Sequence, residues 1–105
     1  MDTSVLKFYV YRSDKKQKKY YVEITGTGKR NKKVYFGASG YSDFTIHKDP
    51  ERKNRYINRH EKRENWNDPS TSGFWSRWIL WNKPTISASI FDTQKMFGIK
   101  IINSV

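Results

Sequence analysis

The chain has 105 residues, enough for one folded domain and too few for two separate cores. It carries 21 Lys and Arg against 10 Asp and Glu, a net charge of +11, and no cysteine, which excludes disulfides and thiolate metal sites. Only 35% of the residues are hydrophobic but 16% are aromatic, so the expected core is small and rich in rings.

No apolar run approaches the length of a membrane-spanning helix. The start, MDTSVLKFYVYR, lacks the pattern of a signal peptide, so a soluble chain that is not secreted by that route is expected. So large a positive field favours polyanionic partners: DNA, RNA, an anionic membrane face or an acidic protein surface.

Residues 4–12 alternate as a strand, with Val5, Lys7, Tyr9 and Tyr11 on one side and Leu6, Phe8 and Val10 on the other. Polar, lysine-rich turns at 13–19 and 26–32 separate it from strands predicted at 20–25 and 33–38. Residues 1–40 therefore read as an antiparallel β-meander. The basic residues of its turns, Lys29 and Arg30 among them, are either solvated or grip a polyanion. TGTGKR (25–30) has the wrong glycine spacing for a phosphate loop and precedes a strand, so it reads as a hairpin turn.

After a loop at 39–48, Asp49, Pro50 and Glu51 form a strong helix start. The helix is expected over 49–64. On a helical wheel Lys48, Arg52, Arg55, Arg59, Lys62 and Arg63 gather into about one third of the circumference, the best candidate for a polyanion-facing surface. The competing reading is a solvated face with intrahelical pairs such as Glu51–Arg55.

A second helix is expected over 72–82, around GFWSRWILW (73–81), capped by Ser70, Thr71 or Ser72 and stopped at Pro84. Phe74, Trp78 and Trp81 share one face and Trp75 lies on the next, leaving Ser76 and Arg77 as the polar exit. With Trp66, these rings read as core, as a protein interface, or as both. Residues 85–95 are either a short helix or a loop with a brief strand, and 98–103 reads as a last strand.

Catalytic equipment is sparse. His47 and His60 fall in no recognisable motif, and His60 with Glu64 is too small a set to hold a metal. Asp43, Asp49 and Glu51 lie close in sequence, but Asp49 and Glu51 have a simpler role at a helix N-terminus. No enzymatic activity, cofactor, metal or small-molecule substrate is expected.

Tyr41-Ser42-Asp43 with Thr45-Ile46-His47, RYINRH at 55–60, Trp66 and GFWSRWILWNKPT at 73–85 follow one another in a specific order. This half of the chain resembles a family of small, basic, uncharacterised proteins of large nucleocytoplasmic DNA viruses. The resemblance defines no catalytic residues. It implies a virion component, such as a minor capsid or virion-interior protein, located in the virion and in the host cytoplasm or viral factory during assembly. The implied partners are the major capsid protein or other virion proteins and an anionic inner membrane surface. The alternative is a protein that binds DNA or RNA through the basic helix. The expected fold is α+β: a single small domain with a three- to four-stranded antiparallel sheet packed against two helices.

Overall fold

The computed structural model describes residues 6–105, so Ser4 and Val5 of the first predicted strand lie outside the described residues. The meander forms as the alternation requires. Strands β1 (Lys7–Arg12), β2 (Lys18–Thr25) and β3 (Lys32–Ala38) pair antiparallel, with Phe8 opposite Ile24, Val10 opposite Val22 and Val22 opposite Val34. One face carries Phe8, Val10, Val22, Ile24, Val34 and Phe36, all buried. A fourth strand, β4 (Lys100–Asn103), completes the order β3-β2-β1-β4.

The fold is α+β, as expected, but β4 runs parallel to β1, with Phe8 opposite Ile101. The cause is topological. β3 and β4 point the same way, so the chain must return to the other end of the sheet before β4 can start, and the whole helical section provides that crossover. Four short helices, not two, make it up: α1 (Phe44–His47), α2 (Pro50–His60), α3 (Ser72–Trp75) and α4 (Ile86–Phe97). The open question at 85–95 resolves as α4, with Thr85 accepting a hydrogen bond from the Ala88 N–H. α4 ends at Gly98 in the left-handed conformation, and Gln94 then accepts from the backbone of Ile101, joining helix to strand.

The aromatic helix begins at the Thr71 cap but widens into a π-helical turn over Ser76–Leu80, where the Trp81 N–H donates to the Ser76 carbonyl. The wider turn lets Trp75, Ile79 and Leu80 all face the interior, each at most 1% exposed. Trp75 packs between Phe8, Phe36 and Phe74, and Leu80 fits against Gly37. A Cβ at Gly37 would sit 2.8 Å from a Leu80 methyl, and its φ of +79° already favours glycine, so no other residue fits there without distortion.

The opposite face of the sheet carries its own ordered rows. Tyr11, Tyr21 and Tyr35 are mutual cross-strand neighbours on β1, β2 and β3; the next row reads Ile102, Tyr9, Glu23, Lys33 and the next Lys100, Lys7, Thr25. None of these side chains belongs to the hydrophobic core, which lies wholly on the helical side.

Candidate nucleic-acid interface

The basic helix is positioned by a small capping system. Asp43 caps α1 by accepting from the Thr45 N–H, and its other oxygen meets the Lys19 ammonium at 2.7 Å. Lys48 then adopts the left-handed conformation (φ 56°) that closes α1, and its ammonium donates to the Thr45 carbonyl. Asp49 immediately caps α2 by accepting from the Glu51 N–H, with Pro50 in the first turn. Asp43 and Asp49 are therefore occupied with helix termini, and no grouping of three or more metal-type ligands occurs among the described residues.

The predicted cation set divides accordingly. Arg52, Arg55 and Arg59 are exposed on α2. α2 stops at His60, capped by Glu61, so Lys62 and Arg63 extend from the following turn and not from the helix predicted to reach 64. Lys48 belongs to the end of α1, not to the α2 face. Lys29 and Arg30 sit on the β2–β3 turn, while the part of the sheet beside α2 is Lys19, Gly37 and Ala38. The length of β3 separates the two, about 20 Å at 3.3 Å per residue.

Ion pairing decides whether the α2 charges are free. Among the described residues Lys19 pairs with Asp43 and the His60 imidazole meets Glu64, a charged pair only when His60 is protonated, and the Glu51–Arg55 pair does not form. Arg52, Arg55 and Arg59 thus have no carboxylate within bonding distance. Arg52 and Arg59 line a cleft of about 450 Å³ between α2 and the β2–β3 edge, whose floor includes Tyr56, His60, Ser72 and Ser76. The cleft's two carboxylates are already engaged: Asp43 by Lys19, and Glu64 by His60 and the Trp66 indole N–H. Arg52 and Arg59 outweigh the one carboxylate, Glu64, that no lysine or arginine pairs with here, so the cleft is net positive.

α2 rests on an aromatic stack. Trp81 lies 4.3 Å from Tyr56 with the rings 2° from parallel, and His60 stacks on Tyr56 from its own helix at 4.4 Å. Burial raises the Tyr56 phenol, so it stays neutral throughout the ordinary pH range. Lys53 points inward, unlike its arginine neighbours, and donates to the Asn82 carbonyl at 2.6 Å; burial, with Arg77 nearby, lowers its ammonium. Arg77 is no polar exit either. Its guanidinium sits over the rings of Trp66 and Trp78 and donates to the Trp81 carbonyl.

His47 closes the inner end of this stack, 5.3 Å from Trp81, where its Nδ1 accepts from the Asp49 N–H. Burial, and then Arg52, hold its imidazole below the usual histidine range. The native state therefore binds fewer protons than the unfolded chain, whose histidine titrates near 6.5. Stability from this group is complete above about pH 6.5 and is lost as pH falls through that value toward the depressed native one. Thermal unfolding followed from about pH 7.5 to about pH 5 should show a falling Tm, and His47→Gln should flatten the slope. An unchanged slope would show that His47 does not couple to folding.

The tryptophans are structural. Phe74 and Trp75 are 0% exposed. The indole N–H groups of Trp75, Trp78 and Trp66 donate to the Pro69 carbonyl, the Trp66 carbonyl and Glu64, and Trp81 is held by Tyr56. Phe74 and Trp75 belong to the core, while Trp66, Trp78 and Trp81 are half-buried at its edge. Sequence reasoning missed Lys19, Lys53 and the cleft, because the contacts that form them span 24 or more positions along the chain.

A family of unknown function (DUF5754) matches residues 9–60, from the second third of β1 to the last residue of α2. The match thus takes in the meander, the capping system and the basic helix, and stops before the aromatic helix. No curated protein and no solved structure matches the chain.

Proposed function

We propose that this protein binds nucleic acid without catalysing a reaction, with α2 laid against the phosphate backbone. The carrying observation is that Arg52, Arg55 and Arg59 stand exposed on one short helix with no carboxylate partner. Guanidinium groups so placed are suited to bidentate contact with phosphate oxygens and carry no base information by themselves. The cleft beside Arg52 and Arg59 would accept a phosphate or sugar edge. Binding of this kind is driven by counterion release, so affinity for labelled duplex DNA or RNA should fall steeply and log-linearly with salt. Absent binding, or affinity indifferent to salt, would overturn the reading.

A second reading is a minor capsid or other virion-interior component, in which the same surface meets packaged DNA or an anionic inner membrane. Beyond the resemblance to viral proteins, it is supported by Phe91 and Met96 of α4, which are 64% and 47% exposed and available to an apolar neighbour such as a capsid protein. Mass spectrometry of purified particles tests it, and absence of the chain from them would remove it.

A further inference from the structure

We infer that the open face of the sheet is a stacking platform for single-stranded nucleic acid, a second site on the face turned away from the hydrophobic core. Tyr11, Tyr21 and Tyr35 form a row across three strands with centroids 5.1 and 5.2 Å apart, and Tyr9 extends it along β1 at 6.4 Å. α3, the π-helical turn and α4 pack on the other face. The four tyrosines are half-buried.

The surroundings of the rings choose the occupant. The Lys15 ammonium lies 4.2 Å from the Tyr35 ring centre and that of Lys33 lies 5.1 Å from Tyr21, while Lys7 and Lys100 occupy the row beyond Tyr9. The face also carries two carboxylates. Asp14 accepts from the Tyr35 hydroxyl at 2.9 Å, with Lys33 and Lys15 near enough to favour its ionised form, and Glu23 accepts from the Asn31 amide at 3.0 Å. The four lysines against two carboxylates leave a net positive charge. Aromatic rings interleaved with ammonium groups match a chain that alternates flat bases with phosphates. A base settling on Tyr21 or Tyr35 would displace the flexible lysine from the ring face and leave its ammonium beside the adjoining phosphate. A duplex keeps its base faces stacked on each other, so a flat ring surface has nothing to stack on; a single strand exposes them. An apolar protein partner would instead meet four lysines and two carboxylates that must be desolvated.

The site shares its ligand class with the α2 surface but is separable from it. Anisotropy titrations of labelled oligothymidylate, and of the same strand paired with oligoadenylate, should be run on the wild type, Tyr21→Val, Tyr21→Phe and Arg52→Glu/Arg55→Glu/Arg59→Glu. Val retains strand propensity without the ring. Tyr21→Val should weaken single-strand binding about tenfold, the scale of one lost stacking contact, and leave duplex binding unchanged. Tyr21→Phe should bind as the wild type does. The α2 variant should bind duplex about a hundredfold more weakly while the Tyr21-dependent preference for single strands persists, so failure of either site is visible separately. Should Tyr21→Val not fold by circular dichroism, Tyr35→Thr on the edge strand makes the same test. Wild-type affinity in the folded ring-less variant, equal losses on duplex and single strand, or tyrosine-dependent binding to anionic vesicles instead of oligonucleotide would each overturn the proposal.

Discussion

A chain carrying Arg52→Glu, Arg55→Glu and Arg59→Glu should bind duplex DNA about a hundredfold more weakly than the wild type, by loss of three phosphate contacts. It should also unfold at nearly the same temperature. The two halves of this expectation follow from one fact: none of the three guanidinium groups has a carboxylate partner in the fold. Removing them breaks no internal pair, and exposed substitutions of this kind shift stability by about half a kcal/mol or less. The local effects are small and partly opposed. Glutamate at 52 suits the positive end of the helix, whereas glutamate at 59 is unfavourable near its other end. Binding has no such cancellation, because each site changes from attracting a phosphate to repelling it. A variant that melted well below the wild type would show that these arginines serve the fold.

The second large effect is expected at Trp81. Replacing it with alanine should cost about 3 kcal/mol, from lost ring burial, the void that remains and the parallel stack on Tyr56. For a chain of this size that lowers Tm by roughly 12–20 °C. Trp81 matters more than its partial exposure suggests, because few contacts hold α2. Its inward anchors are Tyr56, stacked on Trp81, and Lys53, bonded to the Asn82 carbonyl next along the chain. Loss of Trp81 should therefore weaken nucleic-acid binding as well as stability, by unseating the helix that presents the arginines. Trp81→Phe, which keeps a ring, should recover most of both. Thermal unfolding and a binding titration on the same samples check this, and a melt unchanged by Trp81→Ala would show that the stack does not hold α2.

Local chemistry made much of this architecture readable. Asp49, Pro50 and Glu51 marked the start of α2 because capping depends on adjacent residues, and alternation marked the meander because facing residues recur every second position. What depended on distant partners was not readable. The direction of β4 follows from how the crossover returns the chain, which no stretch near Lys100–Asn103 encodes. α1 is a single turn sustained by Asp43, itself fixed by Lys19 from another strand. The end of α2 at His60 carries no Gly or Pro signal; the chain turns there, and Glu64 reaches back to His60 and across to Trp66.

The candidate site divides along the same line. Wheel geometry brought Arg52, Arg55 and Arg59 together correctly, since they share one regular helix. It also drew in Lys48, Lys62 and Arg63, which lie outside that helix and are carried by a cap and a turn. On β1, Tyr9 and Tyr11 were assigned to the face opposite Phe8 and Val10. Both sides of that strand are apolar enough to be buried, so only the packing of Trp75, Ile79 and Leu80 decides which one stays open.

The central claim is that the arginines of α2 contact phosphate, and the salt dependence of duplex binding tests it most directly. Log affinity should fall linearly with log salt for the wild type, and the triple arginine variant should show a slope shallower by about three, one for each phosphate contact removed. Equal slopes for the two proteins would contradict the assignment of the phosphate contacts to Arg52, Arg55 and Arg59.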